Sequence, residues 1–174
     1  LLDKYQSDSV RYSLLRNSIF DDSDYSEEIL VERHNNELAN KLGNLISRVS
    51  SLAEKYGLEK ASNSLLKQLE LKEIEKNFEE YHPDRALNEI FAFIDVCNTY
   101  IQEKKPWETK DKKILYELSD SIKAIAILLS PFIPETSEKI AKQFNFEIKY
   151  NNIKKPLQIK KITKGEILFR KIDG

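Results

Sequence analysis

Hydrophobic positions recur at helical spacing along most of the chain. The longest series is Val31, His34, Leu38, Leu42, Leu45, Val49, Leu52 and Tyr56, separated by steps of three and four, the repeat of one face of an α-helix. Ser26 can cap this helix, Glu27 and Glu28 stand in its positive first turn, and Gly57 can close it after Tyr56. The pattern predicts one rod of about 45 Å at ~1.5 Å per residue. A polar ridge runs beside it, with Asn36, Asn40, Asn44 and Arg48 four residues apart and each about 100° from its apolar neighbour. Asparagine competes with the backbone for hydrogen bonds inside a helix, so three in step require a reason. They either bond across the bundle or face a ligand.

The remaining pattern is also helical. A short helix over Asp8 to Arg16 is broken by Asp21-Asp22-Ser23-Asp24. Asn63 to Glu80 reads as a further helix with Leu66, Leu69 and Ile74 inward and Phe78 or Tyr81 near its end. Pro83 suits the first position of the next, whose core side is Leu87, Ile90, Phe91, Ile94, Cys97 and Ile101. Pro106 ends that helix and holds Trp107 in the connection. Another begins near Asp111 and carries Ile114, Leu118, Ile122, Ile125 and Leu129. Ser130-Pro131-Phe132-Ile133-Pro134 turns a corner into a short helix ending near Phe144. Phe146, Ile148 and Tyr150 then alternate, as a short strand and turn would, before a basic extended tail. The predicted fold is all-α, an antiparallel helix bundle with a short extended C-terminal tail.

Composition narrows the function. With 174 residues, 40% apolar and 33% charged, and four glycines and five prolines, the chain suits one main helical domain. No apolar run approaches the ~18 residues of a membrane span and no signal peptide opens the chain, so a cytoplasmic protein is expected. The absence of methionine and the mid-helix character of Leu1-Leu2-Asp3-Lys4-Tyr5 point to a chain cut from something larger. Cys97 stands alone, which excludes an intramolecular disulfide and a Cys-rich metal site and leaves it as a small buried hydrophobe. His34 and His82 have no metal-ligand spacing, and no Glu-x-x-His pair of the di-iron kind occurs. No metal site is therefore expected. There is no Gly-rich phosphate loop and no nucleophile grouping, and the scattered carboxylates read as solvated faces, so no catalytic residue is assigned.

Charge is unevenly distributed. The net value of −1 argues against bulk attraction to nucleic acid. From Lys139 to Gly174, however, ten Lys or Arg face three acids, a local +7 that leaves −8 for residues 1–138. Lys104, Lys105, Lys110, Lys112 and Lys113 form a second basic cluster around Trp107. Asn44 and Arg48, one turn apart, with Trp107, have the chemistry of a base reader. An amide bonds a base edge through one donor and one acceptor, a guanidinium bonds or stacks, and an indole carries an unpaired base. Core burial of the indole and bonding within the bundle are the competing readings.

Four segments carry a family resemblance: Tyr5-x-x-Asp8-x-x-Arg11-Tyr12-x-Leu14-Leu15, Asn36-x-Leu38-Ala39-Asn40-x-Leu42-Gly43-Asn44-Leu45-x-x-Arg48, Lys105-Pro106-Trp107, and Leu128-Leu129-x-Pro131-Phe132-x-Pro134. In this order the series resembles the C-terminal half of methionyl-tRNA synthetases, class I aminoacyl-tRNA synthetases, over nearly the whole chain. The first and last segments recur among related class I enzymes; the Asn and Arg with Pro-Trp select the methionine family. Gln6 stands where that family commonly has glycine, Lys105 where it has a small residue, and Arg170 where it has proline. The resemblance implies that residues 1–20 end the segment leading from a catalytic domain, that 21–145 form the anticodon-binding bundle, and that 146–174 are a basic extension. It implies recognition of the CAU anticodon loop of tRNA(Met) by Asn44, Arg48 and Trp107, supported by Asn40, Lys105 and Pro106. It further implies a methionine-tRNA ligase as the parent enzyme. Its catalytic domain would use ATP and Mg and pack with this chain, which alone should be inactive and needs no cofactor. Two alternatives stay open: the bundle of a leucyl-, isoleucyl- or valyl-tRNA synthetase, and a helical protein-protein interaction module.

Overall fold

The computed structural model describes residues 1–20, 22 and 25–173. Among them the regular elements are all helical, in a bundle of helices α1 (Ser7–Leu15), α2 (Glu27–Arg33), α3 (Asn44–Tyr56), α4 (Leu71–Glu79), α5 (Pro83–Lys104), α6 (Pro106–Thr109), α7 (Lys112–Leu129) and α8 (Pro134–Phe144). A π-helical segment, His34–Gly43, joins α2 to α3, and 3-10 turns occupy Ser64–Gln68 and Tyr150–Asn152. Asp21, Ser23 and Asp24 of the acidic break lie outside the described residues. The expected strand over Phe146, Ile148 and Tyr150 does not form. That backbone closes on itself instead, Lys149 N–H bonding the Glu147 carbonyl at 2.9 Å and Ile153 N–H that of Tyr150 at 3.1 Å.

The long rod exists, but it is not one α-helix. Ser26 caps it by accepting the Ile29 N–H at 3.2 Å, Gly57 ends it at φ +82°, and its middle is wound as a π-helix, the Asn44 N–H reaching back five residues to the Ala39 carbonyl. The buried positions explain this winding. Leu30, His34, Leu38 and Leu42 are all buried and spaced by four. In an α-helix each four-residue step advances about 40° around the axis, so three steps would carry the series off the core face. A wider turn keeps them aligned. Beyond Leu42 the buried positions are Leu45, Ile46, Val49, Ser50 and Ala53, the mixed three- and four-residue spacing of an α-helical face.

The helix expected over Asn63 to Glu80 is two elements. Leu65 and Leu69 are buried from the 3-10 turn and Ile74 from α4; in one helix Ile74, five residues beyond Leu69, would point about 140° away. The break at Leu69 and Glu70 lets both faces reach the core. Asn63 anchors it, accepting the Leu65 N–H at 3.1 Å and donating to the Glu117 carbonyl at 3.1 Å and to Asp120 at 3.0 Å. Of the two aromatic residues placed near the end of the expected helix, Phe78 packs against the core and Tyr81 is 73% exposed at φ +59°.

At the centre lies α7, packed by α3, α5 and α8. Every side chain from Leu115 to Leu129 is buried, including Glu117, Asp120 and Lys123. Those carboxylates, with Asp8, correct the expectation of solvated faces. The reason is coverage: Ser64 and Tyr100 close over Glu117, α8 over Asp8, and beyond Asn152 the extended tail lies across the Asp120 and Lys123 side of α7 and buries Ile153, Leu157 and Ile162. Asp120 accepts from Lys123 Nζ at 2.8 Å and from the Leu157 N–H at 2.9 Å. Lys123 also donates to the Lys155 carbonyl. The buried pair thus holds the tail by its backbone. Further on, Asn35 exchanges two hydrogen bonds with Ile172, both at 2.9 Å. The first and last sequence segments named above meet as well: Asp8 accepts the Thr136 N–H at 2.6 Å in the first turn of α8, and Arg11 donates to the Pro131 carbonyl at 2.7 Å. Cys97 is fully buried, which pushes its thiol up to about 12.

Candidate nucleic-acid interface

The π segment hands over to regular helix at Asn44, so Asn44 and Arg48 open α3 one turn apart. Asn44 is exposed and Arg48 half-buried. Among the described residues the amides of Asn36, Asn40 and Asn44 have no hydrogen-bond partner, so bonding across the bundle does not account for the three asparagines, whereas Arg48 does bond across to α5. The neighbouring Asn35 is the one spent on structure.

Pro106 does not leave Trp107 in an irregular connection. It opens the four-residue α6, with Pro106 buried and the indole 36% exposed. Lys105 caps α5 and precedes α6 in the left-handed region, at φ +45°. For a residue with a Cβ that region costs ~1–2 kcal/mol, and a following proline restricts the residue further. A small residue would fit with less strain. Lys110, at φ +55°, closes α6 in the same way, so two left-handed lysines flank the tryptophan.

The structure brings Arg48 and Trp107 together. The guanidinium carbon lies 5.4 Å from the ring centroid, within cation–π range. Arg48 Nη2 also donates to Gln102 Oε1 at 2.6 Å. Asn44 makes no hydrogen bond to either; it faces a groove against the C-terminal tail. Gln102 was not singled out from sequence, although a signal existed. Lys41 pairs with Asp95 at 2.9 Å, and Lys41 to Arg48 and Asp95 to Gln102 are both seven residues, so the two helices meet in matched rungs.

Cations also lie over aromatic rings at the ends of α3, α5 and α6. Lys104 lies 5.7 Å from the Tyr100 ring, Lys110 5.9 Å and Lys55 5.2 Å from that of Tyr56. Burial and a hydrogen bond to Glu117 hold the Tyr100 phenol above its ordinary range, so it stays a neutral donor. The surface offers an exposed ring, a guanidinium fixed over it, an unspent amide one turn away and several lysines. That set can stack and hydrogen-bond a planar polar ring attached to an anion. Among the described residues no group of three or more His, Cys, Asp and Glu could hold a metal, and no helix is long and apolar enough to cross a membrane.

Comparison with known proteins identifies the family. The model of the anticodon-binding domain of tRNA ligases matches residues 68–169, more than half of the sequence, and the chain belongs to that family. A second model, of class I tRNA synthetases of the methionine type, matches residues 1–50. The methionine–tRNA ligases of Clostridium tetani and Caldanaerobacter subterraneus are 35% and 36% identical to it, each over 99% of this chain. The chain spans 31% of the length of each. Its fold is that of the apo methionyl-tRNA synthetase of Mycobacterium tuberculosis, with a TM-score of 0.89 at 23% identity, over 99% of this chain and 40% of that one. The same organism's enzyme with methionyl-adenylate gives 0.85 at 24% identity, over 94% and 37%.

Proposed function

We propose that this chain reads the CAU anticodon of tRNA(Met) within a methionyl-tRNA synthetase, a cytoplasmic enzyme whose catalytic domain uses ATP and Mg to join methionine to that tRNA. The observation that carries the reading is the pairing of Arg48 with an exposed Trp107 on a basic, aromatic face. Anticodon bases are unpaired and can be splayed out, which calls for a stacking platform beside planar hydrogen-bonding groups. Trp107 supplies the platform, worth ~1–3 kcal/mol per base in single-strand binders. Arg48 lies over the same ring, so an arriving base either displaces the guanidinium or takes it as its second stacking partner. Asn44 is free to read a Watson-Crick edge, and Asn40 lies one turn behind it. Pro106 fixes the indole, and Lys105 stands beside it as a phosphate contact. With a net charge of −1 the isolated chain binds modestly, because phosphate contacts supply most non-specific affinity.

Trp107 is the sole indole, so its fluorescence reports directly. An RNA stem-loop bearing CAU should quench it, and a loop with another anticodon should do so at least tenfold more weakly. Arg48→Lys keeps the charge but loses the planar fork, and should weaken binding by about tenfold. Equal binding of all anticodons would overturn the reading, as would an Arg48→Lys variant that binds like the original.

A further inference from the structure

The tail returns past Asn44. Between α3 and residues 164–169 runs a groove of about 150 Å³, floored by Ile46 and Phe169 and edged by Asn44, Ser47, Gln143 and Lys164. Gln143, at the end of α8, is 8% exposed, yet its amide has no hydrogen-bond partner among the described residues. The amide is not sealed in but opens onto the groove, where a ligand can bond it. The tail approaches it closely: a Cβ at Gly165 would lie 2.5 Å from Gln143 Nε2, so a larger residue there would push the amide aside. The wall is fixed on both sides, by Asn145 donating to the Lys161 carbonyl at 2.7 Å and by His34 bonding the Arg170 carbonyl at 2.6 Å. The groove is therefore formed before any ligand arrives.

We propose that this groove holds a second nucleotide of the anticodon loop, next to the one stacked on Trp107, with Gln143 bonding its base edge and Lys164 its phosphate. The proposal rests on the anticodon reading and adds two contact residues. The groove has room for one planar base, and the amides of Asn44 and Gln143 both border it. Neither Gln143 nor Lys164 touches Trp107, so their contribution separates from that of the stacking platform.

A double-mutant cycle tests it. The probe is the CAU stem-loop, intact or with one loop base at a time removed to leave an abasic site, titrated by Trp107 fluorescence into the original protein, Gln143→Leu and Lys164→Gln. Gln143→Leu keeps the bulk against Gly165, and the exposed Lys164→Gln leaves the core untouched, so the second variant stands if the first misfolds. Each should weaken the intact loop by about tenfold or less, the range of a lost hydrogen bond or charge contact, with quenching at saturation preserved. For one loop position the base deletion and Gln143→Leu should be non-additive, the second change costing less than twofold once the first is made. Additive losses at every position, or unchanged binding by both variants, overturn the groove while the Trp107 reading stands. Absence of quenching in the original protein overturns both.

Discussion

His34 shows how much one side chain can hold. Its Nε2 lies 2.6 Å from the Arg170 carbonyl, which can only accept, so Nε2 carries the proton and Nδ1 accepts from the Ser9 hydroxyl at 2.8 Å. Phe169 meets the ring edge-on, its centroid 5.6 Å away. Burial lowers the imidazole's pKa below its ordinary 6.5, partly opposed by the Arg170 bond. The folded state therefore binds this proton less readily than the unfolded chain. Stability from this group is complete above about pH 6.5 and is lost as the pH falls below it. Denaturant midpoints between pH 7.5 and 5 should fall for the original protein and change less for His34→Gln; equal slopes would show that His34 does not set the dependence. At this scale Arg48 and Trp107 could be read from sequence because each is a rare chemistry at a marked place, a guanidinium in an asparagine ridge and the only indole after a proline. Gln143 and Lys164 could not, since an amide at a helix end and a lysine among ten basic residues gain meaning only when the tail brings them to Asn44.

Among the elements, α7 departs most from its sequence pattern. Leu118, Ile122, Ile125 and Leu129 mark one apolar face, and all are buried as read. Glu117, Asp120 and Lys123 occupy the opposite side and resemble a solvated face. A helical period reports which side faces the bundle, not what a distant extended segment lays over the other side. The π winding of His34–Gly43 is not legible in the sequence, where the same positions fit one face of an α-helix. Asp120 is the point at which the covering segment is held. Removing it strands the buried Lys123 ammonium and frees the Leu157 N–H, so Asp120→Ala should cost about 3–5 kcal/mol in denaturant unfolding. A loss below about 1 kcal/mol would show that the tail contributes little to stability. Replacing Asp120 and Lys123 together by apolar residues should cost less than Asp120→Ala alone, because the desolvated charge is then gone.

For the whole molecule, the all-helical bundle follows from sequence because most contacts are between amphipathic helices joined by short turns. The path of residues 153–173 does not, because an extended strap has no periodicity to betray its docking site. Once docked, the strap closes the molecule. Tyr5, Val10 and Leu30 form a small apolar cluster that Ile172 packs against, so the beginning and end of the described chain lie side by side. A short link between these two ends should therefore leave the fold intact. A circular permutant that joins residue 173 to residue 1 by a short Gly-Ser linker, and opens at the exposed Tyr81, should fold and quench with CAU stem-loops as the original does.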